Sequence, residues 1–363
     1  MERSTLTLSQ ALEKHLCWHR ARLECFTGMI LALIGAKNVQ LPYMAQHFGG
    51  GALPESRVKR FYRLLRHQSM DFGSIARVIL ELLPLPRRMT LAMDRTNWEW
   101  GGHALNFLVL GVVYQNITIP LLWARLDHKG NTDTAARMAL MSRFLQLFAA
   151  ERIHCLLADR EFIGEDWFHW LGQHKIPFCL RLRENMLASH PNGGTMSLKR
   201  QAFHLAVGES HIWPQKKLCG VQVQILALRL KGDDFLLLAT PVGFAHDIRD
   251  AYRQRWSIEC LFKAMKSNGF SWEKTHITHL QRSEKLLALL ALAAALCVRA
   301  GTIAHTFKPI PFRKTVAAPL FSFFRQGIER LVDALNSSLS THRNPAYNSL
   351  FLKIYPLVNV SVR

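Results

Sequence analysis

The chain has 363 residues, of which 49% are apolar and 20% charged, without a stretch of biased composition. This length exceeds what one hydrophobic core usually serves, and the composition excludes a disordered or fibrous protein, so two or three folded domains are expected. The 46 Lys and Arg residues outnumber the 26 Asp and Glu residues and leave a net charge of +20. Such a surplus attracts polyanions, which makes nucleic acid the leading partner.

Neither a membrane span nor a disulfide framework is indicated. The apolar run at residues 286–298 is shorter than the ~20 residues that cross a bilayer, and it predicts a buried core helix. The N-terminal residues carry acidic and polar side chains where a signal peptide would be basic and then apolar. The seven cysteines are an odd number without a C-x-x-C pair, which indicates small buried thiols in a reducing cytoplasm.

Residues 1–85 have the apolar periodicity of helices. Within them, residues 41–67 predict two short helices joined by a glycine-rich turn, with Ser56 as the N-cap of the second. This second helix sets basic residues among apolar ones, as expected of a helix with one side on the core and another on DNA. A solvated basic face would give the same pattern. The basic residues concerned are Arg57, Lys59, Arg60, Arg63 and Arg66.

After the proline-marked segment 83–88 the pattern changes from helices to strands. Three strands come first, followed by a helix at 132–151 that Thr132 or Asp133 could cap, then a strand, a helix and a strand. This order describes an α/β fold, a mixed sheet flanked by helices with the ribonuclease H topology. Residues 184–242 then alternate polar and apolar positions around PNGG, which predicts a β-rich insertion.

The predicted organisation therefore has five parts. Residues 1–85 form a helical domain that binds DNA ends, and residues 86–183 and 243–300 form the two parts of the ribonuclease-H-like core. The β-rich insertion at 184–242 separates those two parts. The helical region at 301–363 is a candidate for dimerisation.

Three separated acids are the candidate catalytic residues. Asp94 and Asp159 each follow a predicted strand, and open sheets usually build their sites at such ends. Either acid alone is more often a turn or cap residue. The third acid is Glu259, on a helix predicted at residues 245–268.

The helix of Glu259 carries a polar stripe with other functional groups. At 100° per residue, Tyr252, Arg255, Glu259 and Lys266 fall within about 60° of one another. An adjoining apolar stripe would anchor the helix on the sheet. A surface helix with an Arg255–Glu259 salt bridge would account for the polar stripe equally well.

Three carboxylates suit phosphodiester chemistry. Two divalent ions can activate a nucleophile, stabilise the leaving oxygen and neutralise the charge between them, and the hard oxygen ligands of Asp and Glu suit Mg²⁺ or Mn²⁺. Asp94, Asp159 and Glu259 are thus the expected metal ligands. No dedicated histidine base is needed, so none of the 17 histidines is assigned a catalytic role.

Three ordered motifs carry a family resemblance. They are D-x-T at Asp94 and Thr96, D-R-E from Asp159 to Glu161, and Y-x2-R-W-x-I-E-x6-K from Tyr252 to Lys266. With them, the sequence from about 88 to 270 resembles the IS4 family of DDE transposases. The resemblance implies cut-and-paste transposition in a bacterial cytoplasm, in association with the nucleoid. A homodimer would bind double-stranded DNA at terminal inverted repeats, form and reopen hairpin ends, and join them to target DNA.

The resemblance also implies roles for residues around the acids. Tyr252, Arg255 and Lys266 would contact DNA phosphates near the transposon end, and Arg160 of the D-R-E motif is a further DNA-binding candidate. Trp256 occupies the position of an aromatic residue near the hairpin in some relatives, although a tryptophan beside a helical arginine more often packs in a core. Trp213, in the insertion, is a candidate for stacking on an extruded base.

The segment HITH, from His276 to His279, has metal-like spacing but no third or fourth ligand nearby, so polar surface or DNA contact is the better interpretation. Two other functions remain open. A nuclease of the same fold would keep the three acids and cut DNA without joining it. A decayed transposase could act as a non-catalytic DNA-binding repressor, against which the three intact acids argue.

Overall fold

The computed structural model describes residues 8–10, 12–126, 132–313 and 319–337. The last residues of the predicted C-terminal region, from 338 onward, lie outside this range. The described N-terminal part is helical up to residue 82, as the sequence predicts. Its helices are α1 (Arg20–Ala36), α2 (Leu41–Gln46), α3 (Pro54–His67) and α4 (Phe72–Leu82).

The basic helix α3 begins differently from the prediction. Its first residue is Pro54, whose fixed φ suits the first helical position, and Leu53 before it makes no side-chain cap. The prediction of Ser56 as the N-cap is therefore wrong, because Ser56 lies inside the first turn. In α4, by contrast, Asp71 caps the helix by accepting hydrogen bonds from the N–H groups of Gly73 and Ser74.

The core sheet has the ribonuclease H topology. Its first three strands are antiparallel neighbours in the order β3-β2-β1, and β4 and β5 then add to β1 in parallel. The first two strands are joined by Gly101 and Gly102, whose positive φ angles suit a tight two-residue hairpin turn. The strands are β1 (Met89–Trp100), β2 (His103–Tyr114), β3 (Ile117–Arg125), β4 (Ile153–Ala158) and β5 (Phe178–Arg181).

The β-rich insertion continues this sheet. Its last strand pairs antiparallel with β5, so the described strands form one ten-stranded sheet rather than two separate ones. Four consecutive residues of β9, at 225–228, and of β10, at 237–240, are buried, as expected for strands covered on both faces. The elements are β6 (Leu187–Ser189), β7 (Thr195–Ser197), α7 (Leu198–Ala202), β8 (Ser210–Leu218), β9 (Val221–Arg229) and β10 (Phe235–Pro241).

Helices cover the sheet. Two follow β3 and β4: α5 (Thr134–Leu147), which Asp133 caps through the Ala136 N–H, and α6 (Glu165–Gln173). The single helix predicted at 245–268 is two helices, because the chain makes a turn at residues 254–255. The remaining helices are α8 (Ile248–Arg253), α9 (Trp256–Met265), α10 (Leu280–Phe307) and α11 (Phe323–Ser337).

The apolar run at 286–298 lies at the centre of α10 and is fully buried, which confirms the predicted core helix. Within the part of the chain that the structure describes, α10 is the one helix long and apolar enough to cross a membrane, and 83% of its apolar window is buried in the protein. It packs against α1, α4, α11 and β3. The domain boundary predicted at residue 300 falls inside this helix.

All seven cysteines are free. Four are buried, as expected for small apolar side chains, and burial raises the pKa of the Cys25 thiol to about 11. Cys17 departs from the prediction because it is exposed, and Cys219 and Cys260 are half-buried.

The contact between α10 and α11 depends on two glycines. A Cβ on Gly327 would overlap the carbonyl oxygen of Cys297, and a Cβ on Gly301 would overlap that of Phe323. The two backbones are thus too close for any side chain. We expect Gly327→Ala to lower the free energy of unfolding by about 1–3 kcal/mol or more, because the helices must separate.

Urea denaturation of both variants checks this prediction against a matched control. Gly172 lies in α6, and a Cβ there would meet nothing within 4 Å. Gly172→Ala should therefore keep or raise stability, by up to about 1 kcal/mol, from helix propensity alone. Equal stability of Gly327→Ala and the wild type would contradict the close approach.

Candidate active site

The register of three parallel strands brings two of the predicted acids together. Met93 of β1 pairs with Ala158 of β4, and these are the last paired residues of the two strands. Asp94 and Asp159 follow directly, so their carboxylates leave the sheet side by side. The prediction that Asp94 ends its strand is wrong, since β1 continues to Trp100 and pairs with β2 along that length. What ends at Met93 is the pairing with β4.

A buried arginine fixes the loop that carries Asp159. Arg137 of α5 donates hydrogen bonds to the carbonyl oxygens of Thr132 (2.6 Å), Glu161 (2.8 Å) and Ile163 (3.2 Å). The Phe162 N–H closes the turn by donating to the Asp159 carbonyl at 2.9 Å. Two hydrogen bonds from Arg137 and one within the loop therefore hold the segment that carries Asp159.

Arg255 connects the third acid to the first. Its guanidinium donates to Glu259 at 2.5 Å and lies 4.0 Å from the Asp94 carboxylate, with only 11% of the Arg255 side chain exposed. The Arg255–Glu259 salt bridge considered from the sequence is thus present, but it faces the site rather than open solvent. The helix α9 packs against β3 with Ile258 and Leu261 buried, and this packing holds Glu259 at this edge of the sheet.

Tyr252 completes the link to the second acid. Its hydroxyl donates to Asp159 at 3.5 Å, and the Arg255 guanidinium lies 5.7 Å from the centre of its ring. Burial raises the pKa of Tyr252, and the nearby Asp159 raises it further. The phenol therefore stays neutral and keeps its proton for donation. Tyr252 lies near the end of α8 and Arg255 in the turn that follows it, so both side chains reach the same site.

Asp94 lies in surroundings that oppose its ionisation. Burial raises its pKa to about 6, and the charges of Glu161 and Asp159 add to this effect, although the Arg95 N–H and Arg255 oppose it. A second ion pair lies beside it, with Arg95 Nε 3.4 Å from Glu161. Because burial is the largest cause, the raised pKa reflects the poor solvation of the Asp94 carboxylate more than the neighbouring charges.

The geometry and the chemistry of these acids show how well they suit a metal ion. In the described ranges no three Asp, Glu, His or Cys side chains lie close enough to hold one ion, and Arg255 lies between Asp94 and Glu259. The donors themselves are hard carboxylate oxygens, and the raised pKa of Asp94 indicates a place where added positive charge is favourable. The acids thus fit a divalent ion in chemistry and charge.

The other predicted DNA contacts near the site are placed as follows. Lys266 pairs with Glu273 at 2.9 Å, and its ammonium lies 5.3 Å from the centre of the Trp98 ring, further along β1 than Asp94. Arg160 is exposed beside Asp159. Trp256 is 62% exposed, which excludes the core packing considered as the alternative to DNA binding.

The basic residues of α3 divide into two groups. Arg57 donates to the carbonyl oxygens of Ala45 and Gly50, and Arg60 donates to that of Ala21, so both guanidinium groups brace the N-terminal fold. Lys59 and Arg63 are exposed. The exposed pair is therefore better placed than Arg57 and Arg60 to meet a ligand.

Sequence reasoning missed two arginines at the site. Ala158 pairs with Leu180, so Arg181 at the end of β5 emerges next to Asp159 in the same register. Arg181, Arg183 and Arg160 line a cleft of about 460 Å³. The segment LRLR at the end of a strand predicted beside that of Asp159 carried this signal.

Two aromatic features from the sequence are also located. Trp213 is half-buried on β8, with the Lys216 ammonium 5.3 Å from the centre of its ring. His276 of the HITH segment is exposed and stacks on Trp100, and the described residues form no metal cluster around it.

Acidic side chains grouped at the edge of a ribonuclease-H-like sheet define the class of enzymes that process phosphodiesters. Residues 86–296 match the family described as the transposase DDE domain, and the chain belongs to this family. Membership implies DNA as the partner, nuclease or strand-transfer chemistry, and divalent metal ions as the usual cofactor.

Comparison with solved structures gives distant similarities. The piggyBac transposase, in a cryo-EM synaptic complex with hairpin DNA, is 10% identical and aligns with 96% of this chain and 81% of its own, with a TM-score of 0.47. Endonuclease V from Bacillus subtilis is 12% identical over 52% of this chain and 83% of its own, with a TM-score of 0.25. No curated protein matches the sequence. Both scores are low, so the assignment rests on the family match and the strand order.

We expect Asp94→Asn to stabilise the metal-free protein. The pKa of Asp94 is raised to about 6 on folding, so folding opposes the charged form that prevails above that pH. The gain at pH 8 should be at most about 3 kcal/mol, since a tenfold change in proton affinity corresponds to about 1.4 kcal/mol. It should disappear as the pH falls through 6 toward 4, where wild-type Asp94 is itself protonated.

Urea denaturation in EDTA at pH 4, 6 and 8 measures this difference. The control is Asp71→Asn, because the pKa of Asp71 is lowered by its hydrogen bond from Ser74, so that its neutralisation should destabilise at pH 8. A loss of stability in Asp94→Asn at pH 8 would show that the Arg255 contact outweighs the cost of burial.

Proposed function

We propose that the protein is the transposase of an IS4-family insertion sequence, which cuts DNA at terminal inverted repeats and joins the ends to target DNA. The observation that carries this proposal is the convergence of Asp94, Asp159 and Glu259 around Arg255 and Tyr252. Two of these acids are brought together by strand register and the third by the Arg255 hydrogen bond. A structural salt-bridge network would not require the first two acids to be adjacent at a strand edge.

The three acids are the proposed ligands of Mg²⁺ or Mn²⁺. Such ions would lower the pKa of an attacking water or 3′ hydroxyl and stabilise the leaving oxygen. The chain itself orients the acids, since Arg137 fixes the Asp159 loop and the buried face of α9 fixes Glu259. No covalent enzyme intermediate is required.

The cations beside the acids are the proposed phosphate ligands. Arg255 Nε is buried and has no hydrogen-bond acceptor in the described part of the chain, so the hydrogen bonds of this guanidinium are incomplete. A phosphate oxygen between Arg255 and the Tyr252 hydroxyl would complete them with charge-assisted bonds. Lys266 would exchange its partner Glu273 for phosphate.

Two surfaces would hold the rest of the DNA. The cleft that Arg160, Arg181 and Arg183 line adjoins Asp159 and suits the backbone of the strand being cut. On α3, the exposed Lys59 and Arg63 are the residues we assign to DNA phosphate, with Arg57 and Arg60 holding the helix in place.

The finer steps follow from the family resemblance. We infer that two copies of the chain bind the two transposon ends, and that each end passes through a hairpin. Trp256 is 62% exposed beside Arg255, which suits stacking on a base at that hairpin. The cellular setting would be the bacterial cytoplasm, with the protein bound to the nucleoid.

Purified protein with labelled DNA that carries the flanking candidate terminal repeats tests the proposal in the presence of Mg²⁺ or Mn²⁺. Nicks, hairpins and joined products are separated on denaturing gels. We expect all three for the wild type. Cleavage without hairpins or joined DNA would favour a nuclease, and binding without any cleavage would favour a repressor.

Asp159→Ala should abolish all products, because one of three ligands is lost, while DNA affinity stays within a few fold and falls with rising salt. Glu165→Ala is the matched control, an exposed acid at the start of α6, and should leave the products unchanged. Unchanged cleavage by Asp159→Ala would refute the catalytic assignment.

Trp256→Ala should separate the hairpin step from the first nick. An exposed side chain contributes little to folding, so the free energy of unfolding should change by less than about 0.5 kcal/mol. The yield of hairpin relative to nicked DNA should fall, since stacking on an extruded base is worth about 1–3 kcal/mol. Phe203→Ala, at a side chain 56% exposed in the insertion, is the control. Equal hairpin yields in the two variants would remove Trp256 from this step.

A further inference from the structure

A second cavity, of about 300 Å³, lies between the N-terminal helices and the segment at residues 275–277. Its volume is at the lower end of the range for ligand pockets, which suits a single small planar group. Three of its lining side chains carry aromatic rings. The lining residues are Val39, Gln40, Leu41, Pro42, Tyr43, Tyr62, Thr275, His276 and Ile277.

The rings at this cavity are exposed, although burial of such side chains would stabilise the fold. Tyr43 is 51% exposed, Tyr62 is 43% exposed, and His276 is also exposed. Trp100, itself 37% exposed, stacks on His276 with a centroid distance of 4.6 Å and an interplanar angle of 18°. A cluster of exposed rings on a protein surface marks a place where a ligand completes the packing.

The cavity is preformed. The side-chain amide nitrogen of Gln40 lies 3.0 Å from Nε2 of His276, and the Trp100 ring supports the same imidazole. Gln40 precedes α2, and Tyr62 lies on α3, so two N-terminal elements meet the core at this point. A ligand would therefore meet rings already held in position, which lowers the entropic cost of binding.

The surroundings of the cavity are basic. Tyr62 has Lys59 three residues before it and Arg66 four residues after it on α3, so the three side chains share one helical face. Lys59, Arg63 and Arg66 are all exposed. Rings that accept a base beside cations that accept phosphate are the combination that single-stranded nucleic acid requires.

Strand β1 relates this cavity to the three acids. It runs without interruption from Asp94 to Trp100, six residues that span about 20 Å at ~3.3 Å per residue. Trp98, on the same face, lies beneath the Lys266 ammonium, four residues after Asp94 and two before Trp100. At about 3.4 Å per nucleotide of a DNA strand, the cavity lies about six nucleotides from the acids.

We propose that this aromatic cavity binds one unpaired base of the DNA, about six nucleotides from the phosphate that is cut. The base stacks against Tyr43, Tyr62 and His276, and Lys59 and Arg66 hold the adjoining phosphates. This inference rests on the proposed function for the distance, whereas the affinity for an unpaired base does not depend on catalysis.

The test compares two 20-nucleotide single strands, one of mixed sequence and one with the same phosphates but abasic sugars throughout. Affinity is measured by fluorescence anisotropy in EDTA. We expect the wild type to prefer the strand with bases by about 5- to 150-fold, which is the ~1–3 kcal/mol of base–aromatic stacking expressed as an affinity ratio. Trp100→Ala and Tyr62→Ala should lose most of this preference while their affinity for the abasic strand stays unchanged.

Two controls separate lost stacking from lost folding. Trp100→Phe keeps a ring on His276 and should keep the preference. Phe307→Ala removes a ring that is 69% exposed at the far end of α10, roughly 40 Å from the cavity at 1.5 Å per residue, and should match the wild type. If Trp100→Ala and Tyr62→Ala fold normally and still prefer the strand with bases as the wild type does, the proposal is overturned.

The position along the strand is measured by photo-crosslinking of 5-iodouracil placed two to ten nucleotides from the cut. Crosslinks to Tyr43, Tyr62 or Trp100 that peak near six support the proposal, and crosslinks to none of them overturn it. Cleavage is assayed on the same preparations. A base preference without any cleavage would contradict the proposed function and support base binding in the cavity. Cleavage without a preference that depends on the rings would support the proposed function and contradict base binding in the cavity.

Discussion

The burial of carboxylates at one edge of the sheet is the constraint on which this site depends. The parallel register of β1 and β4 delivers Asp94 and Asp159 side by side, and burial already makes the charge of Asp94 unfavourable. Arg255 relieves part of this cost through its contacts with Asp94 and Glu259, which also draw the third acid toward the first two. A fully compensated cluster would have little affinity for further cations. Carboxylates that these contacts leave poorly solvated are chemically suited to bind a divalent ion.

The contacts of Tyr252 and Arg255 depend on the short turn between α8 and α9. Gln254 and Arg255 keep right-handed helical dihedral angles through this turn, and from it Tyr252 reaches Asp159 while Arg255 reaches Asp94. The buried hydrogen bond between Ser257 and Thr118, at 2.6 Å, holds the start of α9 against β3 immediately after the turn. The position of the turn on β3 thus determines which acids the two side chains contact.

The sequence predicted the strand order because it depended on local patterns, whereas the choice of the three acids depended on the order of their motifs and stays a prediction. The cap at Asp133 and the apolar run in α10 are set by neighbouring residues, and the structure agrees with them. The length of β1 could not be predicted in this way, since its extension past Asp94 depends on pairing with β2. The turn at 254–255 was likewise hidden, because its residues have ordinary helix propensity.

Long-range hydrogen bonds explain why the basic helix was only partly predictable. Arg57 and Arg60 have the same local pattern as Lys59 and Arg63, but carbonyl oxygens of Ala45, Gly50 and Ala21 occupy their guanidinium groups. These acceptors lie up to 39 residues away in the chain. A net charge of +20 therefore overstates the number of cationic side chains that can contact DNA directly.

The extension of β1 beyond Met93 links the acids to the aromatic cavity beside the basic helix. Past Met93 the strand keeps β2 on one side and has left β4 on the other, so it projects from the core sheet toward the N-terminal helices. Alternation along the strand then sets Asp94, Trp98 and Trp100 on one face. Trp98 packs on Trp272 and Trp100 on His276, so the segment after α9 fixes the far end of the strand. The proposed catalytic residue Asp94 and the proposed base-binding cavity beside Trp100 are thereby held at a set distance by one strand, and a displacement of the N-terminal helices would alter the cavity without disturbing Asp94.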